Sequence, residues 1–138
     1  MSRLSKCLLL LILPGMVYTS NAQSSYMSKH SAVWKFDYYL GEYEKVRQEN
    51  VRTRFVIHRE WFAMEIDDEF IKWEWAYLQN FEYLGECYIT EGDHGMACIN
   101  SKDNLFFVFS EWNEETEQWE LGLALSDIHK IPAITFKD

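Results

Sequence analysis

Phe62-Ala63-Met64-Glu65-Ile66-Asp67-Asp68-Glu69-Phe70-Ile71-Lys72-Trp73 alternates apolar and polar side chains on either side of an acidic corner. Successive side chains of a strand point to opposite faces, so Phe62, Met64 and Ile66 share one face. With Asp67-Asp68 as the turn, Met64 faces Ile71 and Phe62 faces Trp73, and Trp75 continues the apolar side. On the other side Ala63 meets Lys72, and Glu65 has Lys72 as a diagonal neighbour of opposite charge, a pair suited to solvent. A one-residue slip would turn the whole apolar set to water, so the agreement of both faces fixes the register. The stretch predicts an antiparallel hairpin.

The same alternation extends in both directions. Upstream, Val51, Thr53, Phe55 and Ile57 share a face opposite Arg52, Arg54 and His58. Residues 32–47 fit two periods: Val33, Phe36, Leu40 and Tyr43 at helical spacing, Trp34, Phe36 and Tyr38 at strand spacing. Their aromatic content and Gly41 favour strand–turn–strand. Downstream, Gly92-Asp93 forms a two-residue turn that pairs Ile89 with Met96 and Cys87 with Cys98. A further hairpin with Glu114-Glu115 at its tip sets Ser110 against Trp119, Val108 against Leu121 and Phe106 against Leu123. Phe107 and Phe109 then occupy its reverse face, which must be covered or displayed. Residues 126–130 read as a turn and 131–136 as a last strand. Eight to ten short strands joined by tight turns predict an all-β fold, an antiparallel meander barrel or a two-sheet sandwich.

Residues 1–22 have the order of a cleavable signal peptide. Arg3 and Lys6 precede the apolar run at 8–13, Pro14 and Gly15 interrupt it, and small residues stand at Ser20 and Ala22. A membrane span needs about 20 apolar residues, so no membrane anchor is expected after cleavage. Cys7 lies ahead of the apolar run, where a lipid-bearing cysteine would not be, and is lost with the segment. The organisation expected is a signal peptide at 1–22, a loose polar segment at 23–30 and one β domain at 31–138, secreted or periplasmic. Cleavage would leave Cys87 and Cys98 as an even pair outside the cytoplasm, where a disulfide is favoured.

Charge narrows the partners. Without residues 1–22, which carry Arg3 and Lys6 and no acid, the net charge deepens from −9 to −11. Phosphate-bearing nucleic acid and anionic membrane surfaces would repel such a chain, whereas a basic protein partner suits it. Keeping an aromatic-rich domain in solution is an equally good use of the charge.

No motif names a chemistry. His30, His58, His94 and His129 are scattered without metal-ligand spacing, and Asp67-Asp68-Glu69 lacks the alternating acids that wrap calcium. No nucleophile elbow or Cys/His signature occurs, so neither metal, cofactor nor catalytic residue is expected. A carboxylate-dependent hydrolase is the remote alternative, and the abundance of acids singles out none for it.

Two stretches stand out as binding candidates. Residues 111–120 hold five glutamates and two tryptophans, and Trp112 with Glu114, Glu115 and Glu117 could enter a basic cleft as anchor and steering charges. Trp73, Trp75 and Tyr77 share the face of Phe62, which is core in a filled barrel and cavity wall in a hollow one. The leading expectation is an exported, non-catalytic binding protein of inhibitor or immunity type. The second is a carrier of an apolar or sugar-like ligand. Its strand count resembles lipocalin-like barrels, but the chain lacks their N-terminal Gly-x-Trp motif, so the likeness is one of architecture alone.

Overall fold

The computed structural model describes residues 23–90 and 95–134. Among them there is no helix, and nine antiparallel strands follow in order. They are β1 (Ser24–Asp37), β2 (Glu42–Glu49), β3 (Thr53–Ile57), β4 (Trp61–Ile66), β5 (Glu69–Phe81), β6 (Gly85–Thr90), β7 (Gly95–Asn100), β8 (Leu105–Asn113) and β9 (Gln118–Ile131). From β3 to β9 each strand pairs with the next, and β9 returns to pair with β1. The result is a closed eight-stranded barrel with β2 as an additional strand.

β1 is the strand that closes the ring. Its first residues, Ser24 to Ser28, pair with β3, and Ser31 to Asp37 pair with β2 on the same edge. Its other edge takes β9, from Ser25–Ile131 to Lys35–Leu121. Residues 24–30 are therefore ladder rather than a loose leader. The sequence expectation for 126–130 is corrected with it, because β9 runs unbroken to Ile131 although Asp127 adopts a left-handed φ of 53°.

The hairpins follow the sequence closely in two cases. β4 and β5 pair Met64 with Ile71, Phe62 with Trp73 and Ala63 with Lys72. Asp67 and Asp68 both take positive φ, 54° and 68°, the geometry a tight two-residue turn requires. β6 and β7 pair Ile89 with Met96 and Cys87 with Cys98, and the two cysteines form a disulfide across a Cα–Cα distance of 4.0 Å. The Gly92-Asp93 turn and residues 135–136 lie outside the described residues. Strand–turn–strand over 32–47 is also found, with Gly41 at φ 72° in the turn.

The β8–β9 hairpin differs by two residues. Ser110 opposes Leu121, Val108 opposes Leu123 and Phe106 opposes Leu125, so the loop is longer than Glu114-Glu115. Asn113 explains it: its side-chain Oδ1 accepts from the Glu115 and Thr116 amides, and its carbonyl accepts from the Glu117 amide at 2.7 Å. This side-chain-capped turn displaces the two-residue one. A shift of two preserves the faces, so the expected inward set stays inward.

Two apolar clusters result. Inside the barrel, Phe55, Phe62, Met64, Trp75, Ala97, Phe106 and Leu125 are buried together. Phe106 stacks on Phe55 at 5.0 Å and meets Phe62 edge-on at 5.6 Å, filling the middle of the barrel. Outside the wall, Cys87, Cys98 and Met96 pack with Phe81, Leu84, Phe107, Phe109 and Trp119. The disulfide thus staples the outer face. On the face expected to be solvated, Ala63 and its partner Val56 are fully buried.

Candidate functional site

The barrel is filled at its middle and hollow toward one end. A cavity of about 810 Å³ is walled by Val33 of β1, Phe62 and Met64 of β4, Trp73 of β5, Val108 of β8, and Leu121 and Leu123 of β9. Each belongs to the inward set of its strand, so the wall is a direct product of period-two alternation in a closed barrel. Toward the opposite end a smaller hollow of about 210 Å³ lies beside Tyr26, Phe55, Ile57, Phe106 and Ile128. Phe62 lines the first hollow and Phe106 the second, so their edge-on pair forms the partition.

The cavity opens where β1 changes partner. Beyond Ser28 the β1 edge passes from β3 to β2, and among the described residues no ladder joins β2 to β4. Arg47 of β2 and Ile66 of β4 line the cavity from the two sides of that notch. Ser110, Glu111, Trp112 and Glu114 line it from the β8–β9 hairpin, and Thr90 and Gly95 from the β6–β7 end. The Thr90 hydroxyl is engaged there, accepting from the Gly95 amide at 3.0 Å.

A twist of its own backbone brings Glu111 to the cavity mouth. Strict alternation would send it to the face opposite Ser110, but its φ of 61° reverses the phase of the strand. Trp112 beyond it packs edge-on against Trp119 at 4.9 Å, at the border between the cavity and a shallow apolar groove on the outer wall. That groove, of about 520 Å³, runs over Leu78, Phe81, Leu84, Ile89 and Met96 beside the disulfide.

The two sequence-predicted sites separate on this frame. Of the cavity candidates, Phe62 and Trp73 do line the hollow, stacked on each other at 4.9 Å. Trp75 is core instead, 5% exposed between Phe62 and Tyr88, with its indole N–H donating to the His58 and Arg59 carbonyls. Tyr77 lies at a bulge of β5, 55% exposed, away from the cavity, because β5 outruns β4 there. Sequence reading missed Met64, Val108, Leu121 and Leu123 as a wall, although alternation had put each on an inward face, and it missed Val33, which the strand reading of 32–47 set opposite Trp34 and Phe36. Nothing local marked Arg47, and Glu111 was marked only as part of the acidic stretch 111–120, not as a cavity residue.

The hairpin candidates stay together at one tip. Glu114, Glu115 and Glu117 are exposed, and Trp112 is 41% exposed. Glu120, the fifth acid of that stretch, is consumed structurally: it accepts from the Tyr38 hydroxyl and from Asn113 Nδ2. Those bonds hold its carboxyl below its ordinary range, the Tyr38 bond chiefly, with Lys35 adding attraction. Tyr43 donates to the Trp119 carbonyl at 2.8 Å, so the β1–β2 hairpin is tied to β9 at this end. No group of histidine, cysteine and acidic residues able to hold a metal ion occurs among the described residues.

Comparison with known proteins returned no matching family model, no matching curated protein and no matching solved structure.

Proposed function

We propose that this protein is a carrier that holds a small, mainly apolar molecule in the open half of its barrel. The observation that carries the reading is the cavity of about 810 Å³ walled by Val33, Phe62, Met64, Trp73, Val108, Leu121 and Leu123. Binding pockets for small molecules span roughly 300–1,000 Å³ and are mostly apolar with a few polar groups at the mouth. The composition here follows that pattern. Burial of the ligand's apolar surface supplies the affinity, at about 25 cal/mol per Å² before the costs of immobilisation. A carrier needs no catalytic group. Secretion or a periplasmic location belongs to the same proposal, supported by the charge-then-apolar order of residues 1–22 and by the Cys87–Cys98 disulfide.

The test is titration with Nile red, a neutral dye that brightens in apolar surroundings. The expected result is saturable brightening with one site per chain, weakened in Val108→Trp, whose larger side chain projects into the hollow and narrows it. Equal brightening in both proteins, with circular dichroism confirming the variant's fold, would overturn the reading and leave the outer groove as the dye's site.

A second reading, an inhibitor or immunity-type factor for a basic protein, is favoured by the exposed Glu114, Glu115 and Glu117 beside Trp112. Reversing the three charges to lysine should then abolish capture of basic partners from the extracytoplasmic fraction. Unchanged capture would count against it.

A further inference from the structure

We infer that the ligand of the barrel cavity is an organic amine or quaternary ammonium compound with an apolar body. The inference rests on the carrier reading and assigns the end groups of the same site. The apolar body lies along Phe62, Met64 and Trp73, and the cationic head lies at the mouth beside Glu111, Glu114 and Trp112.

The argument begins with what lines the hollow. Its depth offers no charge and no basic group, so the ligand's inner part must be apolar. Its mouth carries two carboxylates, Glu111 and Glu114, against one guanidinium, Arg47. Arg47 is partly neutralised, its Nε standing 3.8 Å from Glu49 on its own strand. Among the described residues no ion pair engages Glu111 or Glu114. The turn after Ile66 adds Asp67, Asp68 and Glu69, all exposed, so the field at this end is negative beyond the two lining acids.

Trp112 supplies a second recognition element. It lines the mouth, remains 41% exposed, and presents an aromatic surface next to the two carboxylates. An aromatic face beside an anion attracts ammonium groups: quaternary ones are weakly hydrated and lose little on leaving water, and amines with N–H can also donate hydrogen bonds to the carboxylates. A carboxylate head at the same place would meet Glu111 and Glu114 as like charges. A neutral hydroxyl head could donate a hydrogen bond to them but would gain no charge attraction. Head-group charge is therefore what this mouth discriminates.

The test uses three probes of equal chain length on the mature protein: decyltrimethylammonium, decanol and decanoate, each displacing Nile red at low salt. The expected order is the ammonium tightest and decanoate weakest, with at least about a tenfold gap between those two. Glu111→Gln/Glu114→Gln should collapse the gap while changing decanol affinity far less than decyltrimethylammonium affinity, and high salt should narrow the gap in the wild-type protein. Equal binding of the three probes, tighter binding of decanoate, or a gap that survives the double substitution would overturn the inference with the carrier reading intact. Failure of all three probes and of Nile red would overturn both.

Discussion

Single residues carry specific loads in this barrel. Gly85 opens β6 at φ 90°, and a Cβ there would stand inside the Ile99 carbonyl and 2.8 Å from the Asn100 Cα. Both atoms are backbone of β7 and cannot turn aside. Gly85→Ala should therefore cost at least about 2 kcal/mol, read as a lowered urea midpoint. Glu65 is a milder case. Arg54 grips its carboxylate with two bonds of 2.9 and 2.8 Å, in place of the Lys72 partner that sequence suggests, while Lys72 lies over the Trp61 ring at 4.9 Å. The Arg54 bonds hold the Glu65 carboxyl below its ordinary value of 4.5. A depressed carboxylate stabilises the fold above its unfolded value and loses that contribution as pH falls through the folded one. The pair lies at the surface, with Arg54 half-exposed and Glu65 less so, so Glu65→Gln should cost about 1 kcal/mol near neutrality. The gap between wild type and variant should narrow as pH falls below 4.5 and close once pH has passed the depressed folded value, as read in paired thermal melts.

At the scale of elements, the outer staple on β6 and β7 should matter more than either residue. Cys87 and Cys98 are fully exposed to neither water nor the cavity, being buried with Met96 against Phe107 and Trp119. Replacing both by alanine should cost about 2–3 kcal/mol from the short loop released, in addition to lost packing, as measured by denaturation against the oxidised wild type. Elements also decide what sequence could tell. The β4–β5 hairpin was readable, because turn chemistry and alternation agree at Asp67-Asp68. The β8–β9 register was not, because Asn113 captures two amides and lengthens its loop. Residues 24–30 and 126–130 were misread for one shared reason. Each is too polar to announce a strand, and each is a strand because the other completes its ladder. Long-range pairing leaves no local trace. The candidate site was half legible on the same grounds: Phe62 and Trp73 sit beside a readable turn, whereas Glu111 depends on a backbone twist that no side-chain pattern encodes.

At the scale of the whole molecule, the barrel divides into a packed middle and an empty end. Phe106 is the partition, 1% exposed and shared between Phe55 and Phe62. Phe106→Ala should join the two hollows and cost about 3–5 kcal/mol. Long probes should gain relative to short ones in that variant, and a chain-length series displacing Nile red would measure the change.

The closing strands also bring the two ends of the described chain together. The Ile134 amide donates to the Ser25 hydroxyl at 2.9 Å, and Gln23 Nε2 reaches the Ile134 carbonyl. A ring of strands has no intrinsic first member, so the order of assembly can be rewritten without touching the wall. Joining 134 to 23 by a short linker and opening the chain in the turn at 101–104 would turn β9–β1 into a local hairpin. The shorter β7–β8 ladder would become the distant one. Such a permutant should keep the cavity and refold faster than the natural order, since less of its pairing must wait for remote chain to arrive.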